Sequence, residues 1–202
     1  MMRTGMRPGS PFVFRKLRAT PAQSWKNGGG VTRELARGGG WRISVADVAA
    51  DGAFSVFRNQ HRHSVVFEGE GLDLASEAVR LALDPMDCAS YDGGQAWQAT
   101  LRGGPARVFN VMVTAGRVSA EVQVAPALAV APAGGVCLAL CVSGFASCVT
   151  GQATPSALAR GDYILFSAAA GPVHFGTPGP RAAVLVARIS PAMQPPDLPS
   201  TQ

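Results

Sequence analysis

Three sets of residues in this chain have types and spacings that could do chemistry. The first is Arg42 with Ser44, two apart in Trp41-Arg42-Ile43-Ser44, so they share one face of an extended strand while Trp41, Ile43 and Val45 share the other. A guanidinium on an inward face is costly unless it meets a carboxylate, from the protein or from a ligand. Asn110 belongs with them: Phe109, Val111 and Val113 take one face, leaving the amide opposite beside Met112. The second set is Trp25-Lys26-Asn27-Gly28-Gly29-Gly30, whose glycines permit backbone conformations closed to other residues and let another group approach closely. No Gly-Lys-Ser/Thr follows, so it is no phosphate loop, and taken alone it reads as a hairpin loop. The third is His61 and His63, aimed the same way from one strand as chelation requires, with Glu68 five residues on. Glu68 has the opposite parity and needs a bulge to come round, and His174, the only other histidine, lies far along the chain. An Fe, Mn or Ni site here has at most three ligands. Glu34 and Asp47 beside arginines read as ion pairs, and there is no Gly-x-Ser-x-Gly elbow. Nothing demands an enzyme or a cofactor.

The elements that must position these residues are strands. Of the 202 residues 47% are apolar and only 15% charged, which excludes a disordered chain and a charge-laced long helix. The 24 glycines and 15 prolines suit turns between short strands, so the fold class is all-β. Net charge is +5, yet the densest basic group, Arg15, Lys16 and Arg18, is too short for a nucleic-acid arm, and no nucleic-acid partner is expected. Cys88, Cys137, Cys141 and Cys148 contain no C-x-x-C pair and read as reduced thiols; with no apolar leader in residues 1–14, a cytoplasmic location is expected. Residues 122–159 carry no charge, but Pro126, Pro132, Gly134, Gly135, Gly144 and Gly151 break the stretch into short pieces. It therefore reads as β core, not membrane span.

An internal repeat orders the strands. At an offset of 75 residues Val65 falls on Leu140, Gly69 on Gly144, Leu83 on Leu158, Asp87 on Asp162, Tyr91 on Phe166 and Phe109 on Val184. Asn110 then falls on Leu185, so the polar group belongs to the first copy alone. Two such copies predict two small antiparallel barrels or sandwiches, residues 12–118 and 119–190, packed as one compact unit, with residues 1–11 and the tail from 191 disordered.

The run Trp25-Lys26-Asn27-Gly28-Gly29-Gly30-Val31-Thr32-Arg33-Glu34-Leu35, then Trp41-Arg42-Ile43-Ser44, Ala46-Asp47-Val48, Asp51-Gly52, Phe54-Ser55, Phe57, Glu68-Gly69 and Phe109-Asn110-Val111-Met112, resembles the HutD/Ves family. The resemblance covers roughly residues 12–190. It implies a bicupin of the RmlC-like cupin fold and an association with histidine utilisation. Arg62 matches the family's arginine, although the flanking residues differ, and Val108 stands where the family has Asp. With Arg42 and Arg62 as anion partners, Asn27, Thr32, Ser44 and Asn110 as polar contacts, Trp25 as a wall and Gly28 and Gly29 for close approach, the resemblance implies a non-enzymatic binder of a small carboxylate. Urocanate, formiminoglutamate and formylglutamate, intermediates of histidine degradation, have the required group, and the bound protein would tune the pathway. A homodimer through strand edges is the fold-level expectation. The alternative is a metal-dependent enzyme on His61, His63 and Glu68, which resemble the His-x-His-x4-Glu pattern of cupin enzymes.

Overall fold

The structure is a computed structural model that describes residues 12–125, 128–130, 135–150, 156–167, 171–176 and 183–192. Residues 1–11 and the tail beyond 192 lie outside them, and so does the disorder expected there. Apart from one 3-10 turn at Leu17–Ala19, every regular element among the described residues is a strand. The first repeat contains β1 (Phe12–Lys16), β2 (Ala22–Ser24), β3 (Gly30–Gly38), β4 (Trp41–Val48), β5 (Gly52–Ala53), β6 (Gln60–Glu68), β7 (Leu72–Ala75), β8 (Arg80–Leu83), β9 (Cys88–Asp92), β10 (Gln98–Leu101) and β11 (Ala106–Thr114). Then follow β12 (Val118–Ala125), β13 (Leu128–Val130), β14 (Val136–Ser143), β15 (Phe145–Thr150), β16 (Ser156–Ala159), β17 (Asp162–Ser167), β18 (Val173–Gly176) and β19 (Ala183–Pro191). The described part of the charge-free stretch is thus mainly strands, and no helix among the described residues is long and apolar enough to cross a membrane.

The strands form four antiparallel sheets. In the first sandwich the six-stranded sheet β2-β3-β4-β11-β6-β9 faces the four-stranded β5-β10-β7-β8; in the second, β1-β17-β14-β19-β12 faces β13-β18-β15-β16. Three apolar layers result. Val48, Val66, Leu72, Leu74, Leu83 and Val108 fill the first sandwich, and Ala139, Leu158, Ile164, Phe166, Val173 and Val186 fill the second. Between them the two large sheets pack back to back through Ile43, Val45, Val65, Phe109 and Val111 on one side and Leu138, Leu140, Tyr163, Leu185 and Ala187 on the other. A large sheet buried on both faces needs apolar residues at both parities, which is why β11 and β14 read as continuous apolar runs.

Both the first strand and the last show where sequence parity falls short. β1 pairs with β17, so the described residues start in the sheet of the second repeat and cross into the first through the 3-10 turn. Pro191, expected to open a disordered tail, closes β19, and the Ala192 N–H bonds to the Arg117 carbonyl. The offset of 75 holds for Val65 against Leu140 and for Tyr91 against Phe166, but not at the late strand. Phe109 pairs with Val65, whereas Leu140 pairs with Leu185, not Val184; Asn110 therefore corresponds to Val186. One extra residue before β19 restores the facing of the strand, since a one-residue slip would turn every side chain over.

Candidate functional site

The inward face of the first six-stranded sheet carries a grid of polar residues. Register places Arg42, Met112, Arg62 and Tyr91 side by side across β4, β11, β6 and β9. The next row is Glu34, Ser44, Asn110 and Ser64 across β3, β4, β11 and β6. A bulge in β3, between Glu34 and Ala36, supports the grid: it lets both Leu35 and Ala36 face the core between the sheets and so brings Arg37 opposite Arg42. Glu34 consequently holds two cations, Arg37 at 2.6 Å and Arg42 at 2.9 Å.

Arg62 has no such partner. It is 4% exposed, and among the described residues no carboxylate forms an ion pair with it. Its Nη2 donates to Asn110 Oδ1 at 3.0 Å, while its buried Nε has no hydrogen-bond partner. Asn110 Oδ1 also accepts from Ser64 Oγ at 2.8 Å, which uses the one hydroxyl proton of Ser64; the 2.9 Å contact between Ser64 and Tyr91 is therefore donated by the Tyr91 hydroxyl. Burial pushes the Tyr91 phenol up, consistent with a protonated donor. Around the guanidinium stand three rings, Tyr91 at 5.2 Å, Phe54 at 5.3 Å and Phe57 at 6.0 Å, each stabilising the cation through its π face. Burial first, and the positive Arg42 after it, lower the Arg62 pKa, yet an arginine remains charged. Gly93 makes room for the Arg62 stem: a Cβ there would meet Arg62 Cγ at 3.1 Å and the Gln60 carbonyl at 2.9 Å.

A cavity of about 520 Å³ opens at this end of the sheet, lined by Arg37, Arg42, Arg58, Phe57, Gln60 and Met112 among others. Phe57 and Met112 both line it and neighbour Arg62. Among the described residues the second sandwich carries no counterpart of the polar grid. In place of Arg62, Ser64, Tyr91 and Asn110 it has Cys137, Ala139, Phe166 and Val186, and its inward Arg188 is paired with Glu121 at 3.2 Å. The concentration of polar groups in the first copy is thus real, although its register argument needed correction.

The expected site residues separate into two groups. Arg42, Ser44, Arg62 and Asn110 come together. Trp25 joins indirectly, its ring edge-on to Phe54 at 6.0 Å and its Nε1 donating to Thr32 Oγ1 at 2.7 Å. Asn27, Gly28 and Gly29 lie at the other end of the sheet, in the loop from β2 to β3, where Asn27 Oδ1 accepts the Gly29 N–H and Gly29 O accepts the Ala49 N–H. The alternative metal set is not assembled. His61 and His63 sit 5.0 Å apart on the face opposite Arg62, where His63 Nδ1 meets Ser90 Oγ at 2.7 Å. The bulge that Glu68 needed does exist, beside Phe67, but Glu68 is at the far end of β6 from the histidines and bonds Arg107 and Arg160. Among the described residues no group of three or more His, Cys, Asp or Glu is arranged to hold a metal ion. Ser64, Tyr91, Phe54 and Phe57 were missed as site residues. Parity could have found Ser64, two residues beyond Arg62; the ring cage is assembled from separate segments and leaves no local signal.

Comparisons with known proteins agree with this fold. An uncharacterised 21.2 kDa protein of the hutC 3′ region of Pseudomonas putida is 35% identical over 111 residues, 51% of this chain and 58% of its own length. The Ves protein of Escherichia fergusonii is 30% identical over 122 residues, 56% and 62% of the two chains. The match spans about three-fifths of the length of these curated relatives. Among solved structures, a conserved protein of unknown function from Pseudomonas aeruginosa PAO1 superposes with a TM-score of 0.80 at 27% identity, covering 90% of this chain and all of that one. A cupin 2 barrel protein from Leptotrichia buccalis, at 12% identity and a TM-score of 0.59 over 86% of this chain and 93% of its own, shares the cupin fold. The HutD family profile matches residues 17–183, and this chain belongs to the HutD family.

Proposed function

We propose that the protein is a non-enzymatic binder of a small carboxylate, held in the first sandwich on Arg62 with Arg42 and Asn110 beside it. The observation that carries this reading is the buried Arg62 guanidinium, which has no carboxylate paired with it among the described residues and leaves its Nε without a partner. Burying an uncompensated cation costs several kcal/mol, on the order of what a bidentate carboxylate would return. Arg188 in the second sandwich also has a buried Nε without a partner, but its guanidinium is ion-paired with Glu121, so the contrast that supports this reading is the missing carboxylate at Arg62. Degradation intermediates of histidine supply the ligand class, and in the cytoplasm the bound protein would tune histidine utilisation; the hutC-region relative supports that context. Titration calorimetry with urocanate, formiminoglutamate and formylglutamate tests it. Binding tighter than about 1 mM, a dissociation constant worth about 4 kcal/mol, is expected for at least one. No binding at that level, or binding unchanged by Arg62→Ala, would reject the reading.

A further inference from the structure

A second cationic pocket lies between the sandwiches, on the far side of the first sheet from Arg62. It encloses about 290 Å³ and is built from three parts of the chain: Arg33 and Arg107 from the first large sheet, Arg160 from the turn before β17, and Lys16 and Arg18 from the segment that crosses between the units. Three of these cations alternate with carboxylates. Asp47 bonds Arg33 and, at 2.6 Å, Arg107; Glu68 Oε1 accepts from Arg107 at 3.1 Å and from Arg160 at 2.6 Å. Lys16 is neutralised by Asp162 at 2.9 Å. Five cations therefore meet three carboxylates, and Arg18 pairs with none among the described residues. The floor is apolar, formed by Leu17, Phe67, Leu140, Cys141 and Val142.

From this arrangement we infer a second ligand site, one that takes a small organic dianion with an apolar spacer, of the dicarboxylate class. The excess of two positive charges sets the ligand charge, and guanidinium groups at the rim suit carboxylate oxygens. The apolar floor selects a carbon chain over a bare oxyanion. Because the crossing segment and both large sheets contribute, an occupied site ties the two repeats together at the point where the chain changes sheets.

The test is calorimetry on the full chain with glutarate, butyrate and sulfate as probes, performed on the wild type and on Arg62→Met, which disables the first site and so keeps the two sites distinguishable. Glutarate is expected to bind Arg62→Met with one site per chain, and to bind about tenfold more weakly when Arg18→Gln or Arg160→Gln is added to that variant. Both arginines are exposed, and unchanged melting temperatures of these variants without ligand would show that the loss is of binding. In Arg62→Met, butyrate, with one charge, and sulfate, without the carbon chain, should each bind at least about tenfold more weakly than glutarate. Glutarate affinity that survives Arg18→Gln and Arg160→Gln, that vanishes in Arg62→Met, or that sulfate or butyrate equals, would overturn the assignment, as would no heat of binding up to about 10 mM.

Discussion

At the scale of single residues the site is an unbalanced charge held ready. Asn110, Ser64 and Tyr91 form one chain of hydrogen bonds that fixes a face of Arg62, and the three rings exclude water from it. Such a cation is destabilising without its ligand, because breaking or omitting one partner of a buried pair leaves the other uncompensated. Arg62→Met should therefore raise the melting temperature of the ligand-free protein by a few degrees while abolishing carboxylate binding; scanning calorimetry checks the first and titration the second. A lowered melting temperature would mean that the hydrogen bonds and π contacts outweigh desolvation. His63 gives a pH effect of opposite face and separate origin. Burial, and after it the neighbouring His61, lowers its pKa below the ordinary histidine value. The unfolded chain then binds this proton more tightly, so stability falls as pH drops through the ordinary histidine range toward the lowered folded value. The loss of melting temperature between about pH 7 and about pH 5.5 should be smaller in His63→Gln than in the wild type.

At the scale of elements, the glycine run and the bulges decide which side chains face inward. A Cβ on Gly30 would lie 2.4 Å from the Asp47 carbonyl and 3.3 Å from the Trp25 ring, while one on Gly28 meets nothing within 4 Å and suffers only from a φ of +72°. Gly30→Ala should cost about 1–3 kcal/mol by overpacking and Gly28→Ala about 1 kcal/mol by backbone strain, compared through urea midpoints. A larger loss at Gly28 would contradict this order. The same elements show what could be read from sequence. The alternation in β4 and β11 put Arg42, Ser44 and Asn110 on one face correctly, because both strands run without interruption through that stretch. It could not reveal the bulges beside Leu35 and Phe67, since a bulge is a property of the pairing between strands and not of either strand's pattern. Asn27 to Gly29 form the loop from β2 to β3, away from Arg62, and their glycines mark an unusual backbone whatever its purpose.

At the scale of the molecule, the back-to-back sheets join the two repeats through a shared apolar core. The repeat was legible because the strand order and apolar parity recur, but the swap of β1 into the second sheet was not, since five residues, none of them buried, carry no signal of their partner. All three tryptophans, Trp25, Trp41 and Trp97, belong to the first repeat, whereas Leu140 enters the shared core from the second. Leu140→Ala should cost about 2–5 kcal/mol and shift the tryptophan fluorescence transition together with far-UV dichroism. Fluorescence melting that stays in place while dichroism shifts would show that the repeats unfold separately. The central claim, that the buried Arg62 waits for a carboxylate, is tested most directly by nitrogen NMR of the arginine side chains during titration with urocanate, formiminoglutamate or formylglutamate. The account predicts that the Arg62 Nε–H resonance, unpartnered in the free protein, moves on saturation with the binding ligand to the position of a charge-assisted hydrogen bond. A ligand that binds while that resonance stays where it was would contradict it.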